Sequence, residues 1–411
     1  MISVYNILTL LASLIIKFLG LFNHKIELGV SGRRETFKRL ESAIDQDDSC
    51  IWFHCASLGE YEQGLPVFEE IKKIYPKHRI ILSFFSPSGY EIRKNSPIAD
   101  VVVYLPLDTE KNANRFLNLI HPDLIIFVKY EIWPNYLNEI KKRKIRLILI
   151  SALFRSNQIY FKPFGKWMQE YFKAIEHFFV QNENSKELLK SIGLDNATIS
   201  GDTRFDRVNN QLSVDNTLTF IEEFIGKDLC LVAGSTWPEG EEYICNYINS
   251  NPTLPIKYII APHDIRSNRV SDLQKKIKVK SILFSQKENK ELNKFKVFIV
   301  DTIGILSKVY SYADIAYVGG AIGSTGLHNI LEPAVFGVPI IIGKNHHKFP
   351  EAKLMIDNGG VFSINNESEF CSTISKFIND SKFRNETSAL NSSFIEKNKG
   401  AIVQILDYIR R

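Results

Sequence analysis

Two segments of the sequence place a glutamate among small or aromatic residues directly after an apolar run. Glu60 lies in HCASLGEYEQG (54–64), and Glu131 lies in KYEIWPN (129–135). Glu60 at a helix start would complement the helix dipole without any catalytic role, whereas in a cleft it could act as a general base. Glu131 and Trp133 are residue types that suit sugar binding, but the tryptophan could equally be packed in a loop. The residues alone leave both alternatives open.

An arginine follows a strand-like stretch near the middle of the chain. Arg204 lies in GDTRFDRV (201–208). Its guanidinium could neutralise a phosphate or a carboxylate. It could equally form a structural ion pair with Asp202 or Asp206.

Two further segments of the second half join a strand candidate to polar residues. In AGSTWPEGEE (233–242), Ser235 and Thr236 are expected to cap the helix that Pro238 begins. The loop would nevertheless face a cleft. In IIAPHDIRSNRV, His263 follows the next strand candidate in the same way.

A glycine-rich loop follows a strand candidate in VGGAIGSTGLHNILEPAVFG (318–337). Glycines allow backbone to approach a phosphate, and the helix predicted to carry Asn329 and Glu332 would add N–H donors. Glu332 could accept hydrogen bonds from ribose hydroxyls. The spacing fits neither the P-loop nor the dinucleotide fingerprint, which argues against a P-loop NTPase and a dehydrogenase.

Short β-rich runs alternate with helical stretches from residue 50 onward, which predicts parallel sheets with helices on both faces. Two such series indicate an α/β protein of two doubly wound, Rossmann-like domains facing a cleft. Ligands of such sheets bind beyond the carboxyl ends of the strands. The predicted divisions are an N-terminal helix (1–24), a first domain (25–206), a linker (207–226), a second domain (227–390) and a C-terminal helix packing back on the first domain (391–411).

The N-terminal segment 1–22 is apolar and carries one charge, Lys17. It is long enough to span a bilayer, and it could also lie in the interface or in the core of the first domain. A signal peptide is disfavoured because the basic start and the cleavage site are missing. Basic residues up to position 40 favour contact with anionic lipid and a cytoplasmic body.

Charge and cysteine content exclude several classes of function. The 411 residues include 51 Lys and Arg against 46 Asp and Glu, which is too balanced for a general nucleic-acid binder. The five cysteines form no CxxC pair or metal-finger spacing, so reduced thiols are expected. No acidic pair or His/Cys cluster suggests a required metal.

Taken in order, these segments resemble the 3-deoxy-D-manno-octulosonic acid (Kdo) transferase family. The resemblance also rests on SALFRSN, VQNENS, DTIGILSKVYSYADIAYVGG and NHHKFPEA, and it runs almost from end to end. It implies the glycosyltransferase B architecture with an N-terminal membrane-anchoring helix, and no cofactor. It also implies CMP-Kdo as donor, the lipid A precursor lipid IVA as acceptor, and a place on the cytoplasmic side of the inner membrane.

The resemblance further implies roles for individual residues. Glu60 matches the proton acceptor, and Glu131 and Arg204 match positions assigned to transition-state stabilisation. The implied CMP contacts are Pro262, His263, Gly304, Ile305, Leu306, Asn329, Ile330, Leu331 and Glu332, with Ser235 and Thr236 as possible additional donor contacts.

The chain departs from the family pattern at four of these places. No arginine separates Pro262 from His263, Ile305 replaces a glutamate, Arg204 replaces a lysine, and Lys129 replaces the first glutamate of its motif. The alternatives are a UDP-sugar glycosyltransferase or 2-epimerase of the same fold, and a membrane-tethered nucleotide-binding scaffold without activity.

Overall fold

The structure is a computed structural model that describes Met1–Arg410. Two compact units divide the chain. The first consists of Met1–Arg207 together with the chain from Lys399 onward, and the second consists of Val208–Asn398.

A seven-stranded, all-parallel sheet organises the first unit. Its spatial order is β3-β2-β1-β4-β5-β6-β7, so the direction of winding reverses between β1 and β4. The strands are β1 (Cys50–Cys55), β2 (Arg79–Phe84), β3 (Val101–Tyr104), β4 (Pro122–Val128), β5 (Arg146–Ala152), β6 (His177–Val180) and β7 (Ala197–Ile199).

Helices cover both faces of this sheet, because alternate residues of each strand point to opposite sides. Along β1, Trp52 enters one apolar core and Phe53 enters the other. The helices are α1 (Ile2–Leu19), α2 (His24–Ala43), α3 (Leu58–Ile74), α4 (Pro87–Arg93), α5 (Glu110–Ile120), α6 (Pro134–Arg143), α7 (Gln169–Phe172), α8 (Glu183–Lys190) and α9 (Thr203–Asn210).

The second unit repeats this plan with another seven-stranded parallel sheet. Its order is β10-β11-β9-β8-β12-β13-β14, and its winding reverses between β8 and β12. The strands are β8 (Leu229–Thr236), β9 (Ile256–Pro262), β10 (Ser281–Leu283), β11 (Val297–Ile299), β12 (Ile315–Val318), β13 (Ile340–Gly343) and β14 (Val361–Ile364). The prediction of two doubly wound α/β halves is confirmed, while the four-residue strand β14 was not predicted.

The helices of the second unit are α10 (Thr219–Ile225), α11 (Pro238–Ser250), α12 (Ser267–Lys276), α13 (Leu306–Val309), α14 (Leu331–Ala334), α15 (Pro350–Asp357), α16 (Glu367–Asn379) and α17 (Ser381–Asn398). The segment predicted as a linker contains α10, whose Ile221 and Phe224 are fully buried. It is therefore folded into the second unit.

The chain returns to the first unit later than predicted. Helix α17 continues to Asn398, and the break comes at Gly400, whose φ of 108° requires glycine. The last helix, α18 (Ala401–Ile409), then packs against α3. Asp206 accepts hydrogen bonds from the N–H groups of Gly400 (2.8 Å) and Ala401 (3.1 Å), which fixes the start of α18.

Helix α1 is the one described helix that is long and apolar enough to cross a membrane. None of its residues is buried. Its largest exposed apolar side chains are Val4, Ile7, Leu8, Leu10, Leu11, Leu14, Ile15, Phe18 and Leu19.

Candidate active site

The two predicted glutamates of the first unit follow the two strands between which the winding reverses. Glu60 lies in the first turn of α3, directly after β1, and Glu131 lies between β4 and α6. Helices leave the sheet in opposite directions at such a switch point and open a crevice there, which is where ligands of this fold class bind.

Glu60 is buried, with 5% of its surface exposed, and its carboxylate reaches back to the start of its own helix. The backbone N–H groups of Ala56 and Ser57 donate hydrogen bonds to it. This is half of a capping box, so the structural alternative for Glu60 is realised in the fold.

Helix capping does not account for the acid–base properties of Glu60. Burial, followed by the charge of Glu131, raises the pKa of its carboxyl to about 8, against the opposing effects of Lys129 and the two N–H donors. A carboxyl that titrates near neutral pH can accept a proton as a general base.

Glu131 is also buried, and two ring nitrogens lie beside one of its oxygens. Trp133 Nε1 donates to Oε2 at 2.9 Å, and His54 Nε2 lies 3.4 Å from the same atom. Trp133 is thus a ligand of the carboxylate as well as a packed side chain. His54 was not singled out from the sequence, because nothing in it relates a strand residue to an acid 77 positions away.

Arg204 forms the structural ion pair that the sequence left open. Its Nε and Nη2 lie 2.9 and 2.8 Å from Asp202 Oδ2. Gln63 Nε2 donates to both oxygens of Asp202 (3.0 and 3.1 Å) from the second turn of α3. Burial opposes ionisation of Asp202, but the charge of Arg204 and these hydrogen bonds outweigh it and lower the pKa.

In the second unit, Ser235 and Thr236 belong to the end of β8 and not to a helix cap. Ser235 has a φ of 52°, at an irregularity in the pairing with β9. The N-cap of α11 is Trp237, and no side chain caps that helix. The capping prediction is therefore wrong: the strand runs two residues further, and Thr236 Oγ1 donates to Glu241 at 2.9 Å.

Three aromatic rings meet beyond the carboxyl ends of β8, β9 and β12. Trp237 stacks on His263 at 4.6 Å, and His263 lies 4.6 Å from His328. Trp237 Nε1 donates to His328 Nε2 at 3.0 Å. Burial and then the neighbouring His263 lower the pKa of His328 to about 4, so its ring is neutral and can accept this bond.

The glycine-rich loop after β12 packs tightly against the unit's own backbone. A Cβ at Gly319 would lie 2.0 Å from the carbonyl oxygen of Ser235, and one at Gly320 would lie 2.0 Å from that of Gly326. These two glycines are therefore required by internal packing, whether or not the loop meets a phosphate.

The helix expected after this loop is much shorter than predicted. It spans only Leu331–Ala334. Pro333 lacks the N–H that would bond the carbonyl of Asn329, so the helix does not begin earlier, and Gly337 with a φ of 71° follows shortly after its end. One turn carries little macrodipole, so the second unit does not stabilise a leaving phosphate in the way the sequence suggested.

Hydrogen bonds join two of the predicted CMP-contact segments. Glu332 accepts from Asn329 Nδ2 (3.1 Å) through one oxygen and from Ser307 Oγ (3.2 Å) through the other. Ser307 follows Gly304, Ile305 and Leu306, whose loop turns at Gly304 with a φ of 92°. Asn329 is exposed, whereas Ile330 and Leu331 are buried and can contribute only backbone or packing.

Pro262 ends β9 opposite Thr236, and the N–H of His263 donates to the Thr236 carbonyl at 3.0 Å. The structure thus brings the predicted second-unit residues into two adjoining groups at one sheet edge. Among residues 1–410, no three His, Cys, Asp or Glu side chains form a cluster that could hold a metal ion.

Comparison with known proteins agrees with this arrangement. A family model described as 3-deoxy-D-manno-octulosonic-acid transferase (kdotransferase) matches residues 31–207. The 3-deoxy-D-manno-octulosonic acid transferase of Haemophilus influenzae is 27% identical over 98% of this chain and 97% of its own length. These similarities support the Kdo transferase family for this chain. Members of this family are glycosyltransferases, so the predicted enzyme class is confirmed.

Two other similarities bear on the fold and on chain length. A bifunctional glycosyltransferase/methyltransferase of Fusobacterium nucleatum is 29% identical to this Kdo transferase homologue over 86% of the chain, which spans 56% of that longer protein. The structure of UDP-GlcNAc 2-epimerase from Neisseria meningitidis matches with a TM-score of 0.61 and 15% identity over 88% of this chain and 99% of the epimerase. That likeness supports the two-domain glycosyltransferase B fold alone.

Proposed function

We propose that this protein transfers Kdo from CMP-Kdo to lipid IVA on the cytoplasmic side of the inner membrane, in lipopolysaccharide biosynthesis. The observation that carries the proposal is the buried carboxylate pair Glu60 and Glu131 at the switch point of a chain of this family. A sugar hydroxyl is a weak nucleophile, and a base with a raised pKa is what its activation needs.

In the proposed step, the acceptor hydroxyl oxygen attacks the anomeric carbon of Kdo, with inversion. The bond from that carbon to the CMP phosphate oxygen breaks, and CMP leaves with the electron pair. Glu60 takes the hydroxyl proton. Glu131, held by Trp133, offers a fixed negative charge toward the positive character of the sugar in the transition state.

Arg204 is proposed to stabilise the transition state from its position beside Asp202. The ion pair fixes the guanidinium, since two of its nitrogens are bound to one carboxylate oxygen. A positioned cation loses less side-chain freedom when it meets a developing charge than a mobile one does. Substitutions of Arg204 that are measured for both stability and Kdo transfer test this assignment.

The second unit is proposed to bind CMP at the edge where Trp237, His263 and His328 stack. Aromatic rings provide a surface on which a pyrimidine can stack. Glu332, oriented by Asn329 and Ser307, is proposed to accept hydrogen bonds from the ribose.

Helix α1 is proposed to lie in the membrane interface. Near its start, Tyr5 donates to Asp108 at 2.7 Å and Asn135 donates to Asn6 at 2.9 Å. Near its end, Gly20 lies against Glu27 of α2. Both ends of a helix about 27 Å long therefore contact the same unit, which a helix spanning the bilayer could not achieve.

The acceptor's phosphate and acyl groups are proposed to enter the cavity between α1 and α2. This cavity of about 320 Å³ is lined by the apolar Leu10, Ile16 and Phe37 and by the basic Lys17 and Arg34. Apolar walls beside cations match a phosphorylated lipid. Arg34→Ala should raise KM for lipid IVA more than Lys38→Ala, a neighbouring exposed cation outside the cavity.

The activity is tested by incubating the full chain with CMP-Kdo and lipid IVA and weighing the product by mass spectrometry. A mass increase of one or more Kdo residues is expected, with no product from UDP-GlcNAc. Turnover of the UDP-sugar without transfer from CMP-Kdo would replace the proposal with the alternative activity.

The position of α1 is tested with Ile2→Cys in a Cys371→Ser background, because the other four cysteines are buried. A membrane-impermeant thiol reagent should label position 2 from the cytoplasmic side in inverted vesicles. Labelling only in vesicles of the opposite orientation would show that α1 spans the bilayer.

A further inference from the structure

Gln63 is a buried glutamine that the mechanism above does not use. It lies in the second turn of α3, three residues after Glu60, and only 1% of its surface is exposed. Residues three apart lie on the same side of a helix. Gln63 is therefore a neighbour of the proposed base on α3, while its side chain reaches Asp202, 139 positions away in the chain.

The side-chain amide of Gln63 has one orientation that its surroundings can accept. Its Nε2 lies 3.0 and 3.1 Å from the two oxygens of Asp202. Since an ionised carboxylate only accepts hydrogen bonds, the NH₂ group of the amide must face it. Gln63 Oε1 then has no hydrogen-bond partner among the described residues. A methionine would fill the same space without an unpartnered acceptor, so packing alone does not account for a glutamine here.

The backbone of Gln63 is bonded to the same distant segment. Thr203 Oγ1 donates to the Gln63 carbonyl oxygen at 2.5 Å. The hydroxyl of Ser151, 2.7 Å from Thr203 Oγ1, then supplies the hydrogen of the bond between the two hydroxyl groups. Ser151 lies near the end of β5 with a φ of 49°, a conformation that is costly outside glycine and that clusters at functional sites. The segment after β7 is therefore held by α3 and by β5 together.

Asp202 connects Gln63 to Arg204. The Nε and Nη2 of Arg204 lie 2.9 and 2.8 Å from Asp202 Oδ2, and the backbone N–H of Arg204 donates to Oδ1 at 2.9 Å. Glu62 also ties α3 to α9 through Arg207, but that ion pair holds the helix and not the guanidinium of Arg204. Gln63 thus joins the Asp202–Arg204 ion pair directly to the helix of the proposed base.

We propose that Gln63 is a positioning residue that holds Arg204 in place relative to Glu60 during Kdo transfer. The inference rests on the proposed roles of Glu60 as the base and of Arg204 in stabilising the transition state. Groups that act on one reacting centre must keep a fixed separation, and a displacement of about 1 Å can cost about 100-fold in rate. Gln63 itself touches no substrate and acts through Asp202.

The main test variant is Gln63→Met, which removes both bonds to Asp202 and keeps a side chain of similar length. The fold should tolerate it, because the unpartnered acceptor disappears together with the donor. The kcat for Kdo transfer should fall by about 10- to 100-fold. The KM for CMP-Kdo should stay within about twofold of the wild type, because Arg204 is proposed to act in the transition state.

The decisive comparison repeats Gln63→Met in an Arg204→Met background, with rates measured in single turnover. If Gln63 acts through Arg204, its replacement should cost nothing further once Arg204 is absent. A general disturbance of the site would lower the rate by the same factor in both backgrounds. If Gln63→Met does not fold, Thr203→Val removes the bond to the Gln63 carbonyl and should show the same dependence on Arg204.

The matched control is Tyr61→Phe. It removes another buried side-chain bond of α3, from Tyr61 to Ser96 at 2.8 Å, which does not lead to Arg204. The kcat of this variant should equal that of the wild type.

A second readout needs no substrate. The Nε–H of Arg204 donates to Asp202, and its NMR signal can be identified by its absence in Arg204→Met. This hydrogen should exchange with solvent faster in Gln63→Met than in the wild type, because a less firmly held carboxylate lets the bond open more often. Tyr61→Phe should leave its exchange rate unchanged.

A wild-type kcat in Gln63→Met would overturn the inference, as would an equal rate loss in both backgrounds or an unchanged exchange rate of the Arg204 Nε–H. Absence of Kdo transfer by the wild type would refute the proposed function instead. The exchange comparison would then still decide whether Gln63 holds Arg204 in place.

Discussion

The two units share one sheet topology but carry opposite chemistry at their switch points. In the first unit, two acids lie buried beside strands β1 and β4, and burial together with the charge of Glu131 raises the pKa of Glu60. In the second unit, the equivalent edge carries a partly exposed stack of aromatic rings and a hydrogen-bonded loop around Glu332. The topology dictates where a site forms, and the side chains dictate what that site does.

The difference indicates a division of labour. A general base is most effective when its pKa lies near the working pH, and burial raises the pKa of a carboxyl group toward that value. This explains why the two acids of the first unit are buried. Binding a nucleotide requires flat surfaces and hydrogen-bond acceptors that a ligand can reach. Variants of the two units should therefore impair proton transfer or nucleotide binding separately.

The largest effect is expected from Glu60→Gln. Transfer should fall by about 10²–10⁴-fold, while CMP affinity stays unchanged, because the amide oxygen can still accept the N–H groups at the start of α3. Initial rates and calorimetric titration with CMP measure the two quantities. The control is Glu69→Gln, an exposed glutamate of the same helix. A wild-type rate in Glu60→Gln would contradict its assignment as the base.

The pH dependence of kcat/KM in the wild type should report the pKa of Glu60. Burial and Glu131 raise the pKa of Glu60 to about 8, and a base is inactive when protonated. Therefore kcat/KM should fall about tenfold per pH unit below that value. Glu131→Gln removes the repelling charge, so the acidic limb should move to lower pH. A limb at the ordinary pKa of glutamate in the wild type would show that Glu60 is not perturbed.

The sequence predicted the sheet strands well because they are short, apolar and bounded by polar turns. The strand candidate that precedes His263 is Ile256–Pro262 in the structure, and the prediction of two doubly wound halves from the alternation with helices is confirmed. The predicted strands also placed Glu60 and Glu131 at the same edge of the sheet, because each follows a parallel strand and the carboxyl ends of parallel strands share one edge.

What the sequence could not supply is contact between distant segments. The bonds of His54 to Ser83 and Glu131 join three strands or their ends, and no local pattern encodes them. The prediction of a helix at Asn329 was wrong for a different reason. The segment after the glycine-rich loop was predicted to begin a helix that carries Asn329, but the helix spans only Leu331–Ala334, between the loop and Gly337.

A smaller effect is expected in the second unit from Trp237→Ala. Losing a ring on which a base stacks costs about 1–3 kcal/mol, so CMP affinity, measured by calorimetric titration, should fall by about 5- to 150-fold. Trp133→Ala is the matched change in the first unit. It should reduce transfer and leave CMP affinity intact. Equal losses of CMP affinity in both variants would abolish the proposed division of labour.

The smallest effect is expected on stability, from Arg204→Met. Asp202 is buried and would keep only Gln63 as a side-chain donor, so the free energy of unfolding should fall by about 1–3 kcal/mol. Urea denaturation measures this loss.

Adding Asp202→Asn to Arg204→Met separates the two roles of the arginine. The second change removes the uncompensated buried charge, so stability should partly recover. Transfer should not recover, because the cation proposed to meet the developing charge is still missing. If transfer returned together with stability, Arg204 would act only by holding the segment after β7 in place, and the chemistry of the first unit would rest on its two glutamates.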